Sequence, residues 1–597
     1  MWKICLYLSI LAILLVAIAA VCVKNIRQKK HKQTNMLMII AAGVLLGAIF
    51  MFYPIHRVLP EGEGNGICRA ALLSIFTGMQ IFTIGTEYQV ILDAIPFCPE
   101  TLKGSYQLWA SALFVVAPIF TFGFVLSLMK NLLSELRYFL GYFRDAYIFS
   151  ELNDQSYALA KDIHDKRPKA VLVFTDVFEG TEEQTFELSE KAKNIGAICY
   201  KRDIMAVNFA RHSKRKQLHF FTIGSDDAEN LDQSLALIEK YRDRETAGLY
   251  VFSEGVEGEM LLCDADKGKM KVRRINPNRS MINQMLYEKG HMLFDSANEL
   301  PDGTKDISVV VVGTGRLGQE VVRSLAWYCQ MDGYSIHVDA FDRDPRARDK
   351  FTALAPELMS KKYNGILVDG EAQYTINIHG GVDVQTRSFA RKIQALKGTT
   401  FVLVALGDDA LNIATAVQLR TLFEQIHIEP VIQTVVYSTK QNRALANLKN
   451  FRGQSYKIDL IGDLESKYGE KVIIGTELER EALKIHLKYS DSEEEFWNYE
   501  YNYRSSMASA IHRSATVYCG ILGAGKPEKD LTEAERESVE KLEHRRWNAY
   551  MRSEGFVFSG SKDKSSRNYL GKMHHDLVNF DELTEEEKRK DSRVAGG

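Results

Sequence analysis

Hydrophobic and polar positions divide the chain into an apolar first part and a mixed remainder. Three runs are almost entirely apolar: residues 3–23, 36–53 and 106–130. A run of about 20 apolar residues can cross the ~30 Å hydrocarbon core of a bilayer as a helix. Beyond residue 145, short apolar runs alternate with amphipathic stretches, a pattern typical of alternating strands and helices. The pattern therefore predicts a membrane α-helical domain over residues 1–145, followed by α/β domains.

Charge predicts the orientation of these helices. Segment 24–32 carries five Lys or Arg residues, whereas segment 54–66 carries one. The positive-inside rule places the first segment in the cytoplasm and the amino terminus outside. Three crossings then leave the rest of the chain in the cytoplasm. Residues 69–95 are therefore expected to enter the membrane and return, as a re-entrant segment, which is tolerated at membrane depth only where protein or a water-filled cavity covers its backbone.

The re-entrant segment contains a candidate pore filter. Its residues are Thr83, Ile84, Gly85, Thr86 and Glu87. The first three match the start of the Thr-Val-Gly-Tyr-Gly pattern, in which backbone carbonyls replace the hydration shell of a cation. Thr86 and Glu87 depart from the pattern, so a ring of Glu87 side chains would favour monovalent cations without selecting potassium. The alternative is a half-buried helical hairpin that seals a bundle.

The α/β part contains two copies of one unit, at 146–300 and 306–490. Each copy reads as successive strand and helix pairs, which predicts two doubly wound parallel sheets. The two copies also share residue identities. In each copy a Gly-Asp-Asp-like run follows an apolar strand and opens a helix: Gly224-Ser225-Asp226-Asp227 in the first and Gly407-Asp408-Asp409 in the second.

The second copy carries a candidate nucleotide site. The run Gly313-Thr314-Gly315-Arg316-Leu317-Gly318 follows the strand VVVV and opens a helix. This is the context in which such glycines allow a tight turn, the approach of a phosphate to the helix amino terminus, and close packing of helix on strand. Asp342 ends the next strand, where it is expected to accept hydrogen bonds from a ribose. The predicted site consists of Gly313, Gly315, Arg316, Leu317, Gly318, Asp342 and Gly407. The alternative is a structural glycine turn with an empty site.

The first copy has no glycine at the corresponding position. Residues 150–156 read SELNDQS, which places two acids where a phosphate would lie. We therefore expect the first copy to be structural.

Tandem units of this kind behind a pore-like segment resemble the regulator-of-potassium-conductance, or Trk-type NAD-binding, architecture. The resemblance covers roughly residues 65–485 and is strongest at 306–345. It implies two Rossmann-like domains, with NAD(H), ATP or a cyclic nucleotide as the ligand of the second. It also implies a homo-oligomer, with a tetramer favoured.

The last segment, 491–597, reads as a helical linker and a small, mostly α module. Its elements E-H-x-x-W, G-F and H-x-x-L-V-x-F resemble the ryanodine-receptor repeat. Arg546 and Lys572 are candidates to hold a phosphate beside Trp547, which would stack on a base or ribose. The candidate ligand residues are Glu543, His544, Arg546, Trp547, Lys572 and His574. The alternative is that Trp547 is core and the charges form a solvated helix face. His574 and His575 are adjacent and make a poor metal pair.

Composition excludes several functions. A formal net charge of −2 with 25% charged residues does not indicate a nucleic acid polymer as partner. The eight cysteines lack the spacing of a zinc site, although a disulfide between Cys68 and Cys98 stays open. The chain also shows no arrangement of residues typical of an enzyme.

The sequence therefore predicts a ligand-gated membrane effector or ion channel in the bacterial inner membrane, with membrane lipid and a small nucleotide-derived ligand as partners. The resemblance suggests a role in antiviral defence. One alternative is a housekeeping potassium channel or transport regulator controlled by NAD(H) or ATP. Another is a membrane-tethered nucleotide sensor without a pore.

Overall fold

A computed structural model gives the fold of the chain. It describes residues 1–26, 32–58, 66–83, 85–176, 181–255, 258, 260–262, 265–359, 374–438 and 448–595. The chain divides into two compact units, Met1–Phe139 and Leu140–Gly597.

The first unit is helical. Its helices are α1 (Trp2–Ile26), α2 (Lys32–Val58), α3 (Ile67–Gln80), α4 (Gln89–Ala94) and α5 (Glu100–Leu140). Apolar side chains from different helices form its core, among them Phe52 and Tyr106. The Tyr106 hydroxyl donates to the Met51 carbonyl, which ties α5 to α2.

The predicted membrane domain and inner-membrane location are corrected by this structure. Among the residues that it describes, no helix combines the length and the apolar character that a bilayer crossing requires. A crossing takes about 20 consecutive apolar residues. Side chains are described only to residue 15 in α1, from residue 42 in α2, and at residues 100–119, 121 and 134–140 in α5. The described apolar stretches of the predicted spans are therefore too short, and the rest of those spans lies outside the described side chains, as do residues 27–31 of the basic segment.

The second unit begins with a parallel sheet in the order β3-β2-β1-β4-β5-β6. Its strands are β1 (Ala146–Phe149), β2 (Val171–Phe174), β3 (Ile198–Cys199), β4 (Leu218–Thr222), β5 (Ala247–Phe252) and β6 (Lys271–Ile275). The helices that accompany it are α6 (Asp154–Lys166), α7 (Glu182–Asn194) and α8 (Asp227–Tyr241). Strands β1 and β2 are apolar and buried throughout, as expected for strands that are covered on both faces.

The second sheet repeats this order as β10-β9-β8-β11-β12-β13, with β7 antiparallel on β8. Its strands are β7 (Asn298–Glu299), β8 (Lys305–Val312), β9 (Tyr334–Phe341), β10 (Tyr374–His379), β11 (Phe401–Val404), β12 (Val431–Val435) and β13 (Ile458–Ile461). Its helices are α9 (Pro277–Lys289), α10 (His291–Asp295), α11 (Arg316–Tyr328), α12 (Ala347–Leu354), α13 (Arg387–Ala395), α14 (Asp409–Gln425), α15 (Leu464–Lys467) and α16 (Glu470–Ile473). The α/β prediction of two doubly wound parallel sheets is thus confirmed, and the strand order is the Rossmann order.

Helices at the ends of the two sheets are exchanged. Ile282 and Leu286 of α9, which follows the first sheet, pack in the core of the second sheet. Conversely, Tyr468 and Ile473, which follow the second sheet, pack in the core of the first. The carboxylate of Asp162 on α6 accepts from the Glu470 backbone N–H at 2.6 Å. The two sheets therefore stabilise each other.

The carboxy-terminal part consists of helices packed on the second sheet. They are α17 (Thr476–His486), α18 (Glu493–Asn498), α19 (Glu500–Tyr518), α20 (Glu533–Ser553) and α21 (Glu585–Ala595). A short parallel pair, β14 (Val557–Phe558) and β15 (Met573–His574), follows α20. Ile511 of α19 and Met551 of α20 lie in the same apolar cluster as Val311 of β8.

Candidate functional site

The glycine loop between β8 and α11 has the geometry that its sequence predicts. Gly313 has φ +97°, a backbone conformation that favours glycine, and a Cβ there would lie 2.4 Å from the Ala405 carbonyl oxygen. A Cβ on Gly318 would lie 1.9 Å from the Gly313 carbonyl oxygen. These two positions therefore need glycine for packing.

Gly315 differs from both neighbours in the motif. It is the N-cap of α11, and no side chain caps the helix amino terminus there. A Cβ on Gly315 would meet no described atom within 4 Å, so the space in front of the helix is open. Uncapped amides at a helix amino terminus favour an anion. Gly315 is thus the position where a phosphate has room to approach.

The loop opens into a cleft of about 440 Å³, here called the glycine-loop cleft. This volume falls within the usual range of small-molecule sites. All seven predicted nucleotide-site residues except Gly318 line it: Gly313, Gly315, Arg316, Leu317, Asp342 and Gly407. Gly318 lies behind them, where it allows α11 to approach β8. The structure therefore brings the predicted set together.

Asp342 is bonded to the loop itself. Its Oδ2 accepts from the Thr314 backbone N–H at 2.7 Å and from the Thr314 hydroxyl at 2.8 Å. Its Oδ1 accepts from the Asp344 N–H at 2.8 Å. Since a carboxylate offers about four lone-pair positions, one position on Oδ1 is left for a ribose hydroxyl. Asp342 therefore holds the loop in place. Binding of a ribose hydroxyl by Asp342 stays a prediction.

Three residues from outside the second sheet complete the cleft: Glu254, Asn278 and Lys467. Glu254 follows β5 of the first sheet and forms an ion pair with Arg316. The Lys467 ammonium donates to the Asn278 side chain at 2.8 Å, and burial lowers the pKa of Lys467. Sequence reasoning missed all three residues because their proximity comes from the exchange of helices between sheets.

The matching position in the first sheet is closed by side chains. Asn153 caps α6 by accepting from the Ser156 N–H at 2.9 Å, and its amide donates to the Ile223 carbonyl at 2.7 Å. The Ser150 hydroxyl accepts from the Ile223 N–H at 2.9 Å. This helix terminus is therefore occupied by the chain's own polar groups, unlike that of α11.

Behind the glycine loop, α11 joins a group of buried ion pairs. Arg279 of α9 bonds Glu320 of α11 at 2.6 Å and Glu554, at the end of α20, at 3.0 Å. Arg504 of α19 extends this network of ion pairs, because it bonds Glu554 at 3.2 Å and Glu500 at 2.8 Å. These pairs connect the helix of the glycine loop to the carboxy-terminal helices.

The candidate filter residues lie in the first unit, between α3 and α4. The Gly85 N–H and the Thr83 hydroxyl both donate to the Gln80 carbonyl, at 2.9 and 3.0 Å. The Thr86 hydroxyl donates to the Gln80 side chain at 3.1 Å, and Glu87 is exposed. Ile84 lies outside the described residues. The described part of this segment thus folds back on the end of α3. Cys68 and Cys98 are both free thiols.

The carboxy-terminal candidates divide between two places. A cavity of about 360 Å³ is lined by Glu543, His544, Arg546, Trp547 and His574, whereas Lys572 does not line it. Arg546 is fully buried and bonded to Glu543 at 2.6 Å. The predicted pairing of Arg546 with Lys572 around one phosphate is therefore not present in this structure.

The pKa values of the two histidines of this cavity are shifted in opposite directions. Burial alone would lower the pKa of His544, but its bond to Asp591 at 3.3 Å and the charge of that carboxylate raise it. Burial, followed by the nearby Arg567, lowers the pKa of His574 to about 2, so His574 is neutral near pH 7.

His574, His575 and Asp576 bring potential metal ligands within 4.8 Å of one another. The two imidazole rings are stacked, with centroids 4.8 Å apart and an interplanar angle of 14°. Their in-plane lone pairs therefore run side by side and do not converge on one point. The cluster is a poor match for a metal site that needs converging ligands.

Replacing Gly318 with alanine should destabilise the protein by about 1–3 kcal/mol, because the new methyl group overlaps the Gly313 carbonyl and forces the backbone apart. The free energy of unfolding in urea measures the effect. Gly315→Ala is the matched control and should cost less, about 0.5–1 kcal/mol, because alanine is a poorer N-cap than glycine although the space there is open. Equal effects of the two substitutions would contradict the packing role of Gly318.

A scan against protein-family models found no match to this chain, and a search of curated proteins found no significant match.

Proposed function

We propose that this protein is a ligand-responsive regulator that binds a nucleotide-derived molecule in the glycine-loop cleft. The observation that carries the proposal is the contrast within the motif. Gly313 and Gly318 are enclosed by backbone, whereas Gly315 faces open space at an uncapped helix amino terminus. That arrangement suits a phosphate or pyrophosphate. NAD(H), ATP and a cyclic dinucleotide are the candidate ligands.

The acidic residues of the glycine-loop cleft favour ligand binding without catalysis, because their carboxylates are already engaged. Asp342 is held by Thr314 and Asp344, and Glu254 is paired with Arg316. The third acid, Asp383, accepts from the Gln385 N–H at 2.8 Å. All three carboxylates thus have structural partners. The ligand phosphate would compete with Glu254 for the Arg316 guanidinium, because both are anions close to the same helix terminus.

A response to the ligand can pass along two connections. Arg274 donates to the carbonyls of Ser253 and Gly255, on either side of Glu254, at 3.2 and 3.1 Å. Arg274 is also bonded to Glu500 of α19 at 2.8 Å. A shift of Glu254 away from Arg316 would therefore act on α19, and Glu320 of α11 acts on the same helices through Arg279.

The experiment is a ligand-dependent thermal shift on the full-length protein with NAD⁺, ATP and a cyclic dinucleotide. A ligand present at 100 times its Kd adds about 2.7 kcal/mol to stability. We expect one of these ligands to raise the Tm, and Gly315→Asp to weaken its binding by about 100-fold or more without lowering the Tm of the free protein. The new carboxylate would occupy the space of the phosphate.

Gly398→Asp is the matched control, because it adds the same charge to the same domain at a site with ordinary contacts. It should leave the affinity unchanged. Loss of binding in both variants would point to a general charge effect, and full binding in Gly315→Asp would refute the proposed site.

A further inference from the structure

A second cavity lies between β6 and the carboxy-terminal helices, separate from the glycine loop. It has a volume of about 690 Å³. Aromatic side chains line it from several elements: Trp497, Tyr499, Tyr501, Tyr503, Phe556 and Tyr569. We call it the aromatic cleft. Its volume is that of a small-molecule site, and so many aromatic rings around one cavity favour a planar ligand.

Several apolar side chains of the aromatic cleft are exposed. Tyr499 is 50% exposed and Tyr569 is 47% exposed, and Leu570 beside it is 89% exposed. Large apolar side chains that are exposed together around one cavity indicate a ligand-binding or interaction surface. The Tyr569 ring also packs at 5.3 Å from Tyr501 and lies 4.3 Å from the guanidinium of Arg567, so it is held in place without being covered.

The charges of the aromatic cleft favour an anion. Its basic residues are Lys267, Arg273, Arg274, Arg504 and Lys572, and its acids are Glu495, Glu500 and Glu554. The three arginines are paired with Glu479, Glu500 and Glu554, so the anion is expected at a lysine. Lys572 is at the rim, and its ammonium donates to the neutral Glu554 carbonyl at 2.9 Å. Lys572 also has φ +50°, an uncommon conformation for a residue with a side chain. Such backbone strain is concentrated at binding sites.

We propose that the aromatic cleft binds a small molecule that combines a planar aromatic ring with an anionic group, of the class of nucleoside monophosphates. The ring stacks on Tyr499 or Tyr569, and the anion faces Lys572. The sequence holds a signal for this site in the repeat Trp497, Tyr499, Tyr501, Tyr503, although aromatic residues at every second position are typical of a strand and do not by themselves indicate a cavity. This inference does not depend on ligand binding at the glycine loop.

Charged residues that line the aromatic cleft connect it to the helix of the glycine loop, α11. Arg274, Glu500, Arg504 and Glu554 line the cavity and belong to the group of ion pairs that reaches α11. A ligand in the aromatic cleft therefore contacts the same charged groups that adjoin the helix of the glycine loop.

Calorimetric titration of the full-length Gly315→Asp variant with AMP tests the proposal, because that variant has its glycine-loop cleft blocked. We expect AMP to bind it with the wild-type affinity. At least one of the variants Tyr499→Ala and Tyr569→Ala should weaken AMP binding by about tenfold, the usual loss of one stacking partner. Both side chains are half-exposed, so the variants should fold. Phe186→Ala, an exposed aromatic on α7, is the control and should bind as well as the parent.

Lys572→Gln separates the two parts of the ligand. It should weaken AMP binding several-fold and leave adenosine binding unchanged, while inorganic phosphate alone should bind weakly to either form. Loss of AMP binding in Gly315→Asp by itself would place the ligand at the glycine loop and overturn the inference. Undisturbed AMP binding in both tyrosine variants, or binding of AMP to no form of the protein, would overturn it as well.

Discussion

Replacing Glu320 with glutamine should lower the free energy of unfolding by about 3–5 kcal/mol. Glu320 is 6% exposed and lies between two guanidinium groups. Arg279 bonds it at 2.6 Å, and Arg323 pairs with it within α11. Glutamine would remove the carboxylate partner of Arg323 and leave Arg279 with Glu554 alone, and losing one member of a buried ion-pair group is far more costly than losing an exposed pair. Burial would raise the pKa of Glu320, but the charges of Arg279 and Arg323 outweigh burial and lower it.

Urea denaturation followed by tryptophan fluorescence measures this effect, since Trp327 is a buried residue of the same helix. Glu537→Gln is the control: it removes an exposed carboxylate paired with Lys541 on α20 and should have no resolvable effect. A Glu320→Gln protein as stable as the control would show that the buried pairs do not hold α11 in place.

Lowering the pH from 7 to 5 should cost about 4 kcal/mol of stability through two buried histidines. Burial is the main cause that lowers the pKa of His512 to about 3 and of His574 to about 2. In the unfolded chain both have pKa values near 6.5. The unfolded state therefore binds more protons below pH 6.5, and stability falls as the pH falls toward the folded-state values. At pH 5 each histidine contributes about 2 kcal/mol of this loss.

His512→Gln tests the assignment because glutamine can still donate to the Gln330 carbonyl, which His512 contacts at 2.6 Å. The variant should lose about 2 kcal/mol less than the wild type between pH 7 and pH 5. Denaturation curves at both pH values measure the difference. An identical pH dependence in wild type and variant would mean that the pKa of His512 is the same in the folded and unfolded states, and would contradict the assignment.

Much of the glycine-loop cleft could be predicted from the amino-acid sequence. Gly313, Gly315 and Gly318 follow an apolar strand and open a helix, and local geometry then dictates what each must do. Asp342 was placed at the same sheet edge because parallel strands end together there. Its bonds to Thr314 could not be foreseen, since they depend on the path of the loop.

The interpretation of the first part of the chain was wrong in one respect. Apolar composition at 3–23, 36–53 and 106–130 predicted crossings, but no helix among the described residues meets the requirement for one. The pairing of Arg546 with Lys572 failed for another reason. The two residues were grouped because they belong to the same sequence motif. In the fold, Arg546 is paired with the Glu543 carboxylate, whereas the Lys572 ammonium donates to the Glu554 backbone carbonyl.

By itself, the sequence determined the local elements: two series of strands and helices, their parallel pairing, and a glycine turn whose conformation follows from the absence of a side chain. Tertiary structure alone decided which distant residues meet. Glu254, Asn278 and Lys467 reach the glycine-loop cleft only because α9 and the helices after β13 pack on the opposite sheets. The aromatic cleft arises in the same way, where β6, α19 and the segment after α20 come together. The periodicity of a segment tells which of its faces is buried, whereas the identity of the partner depends on shape and charge matching across the whole fold.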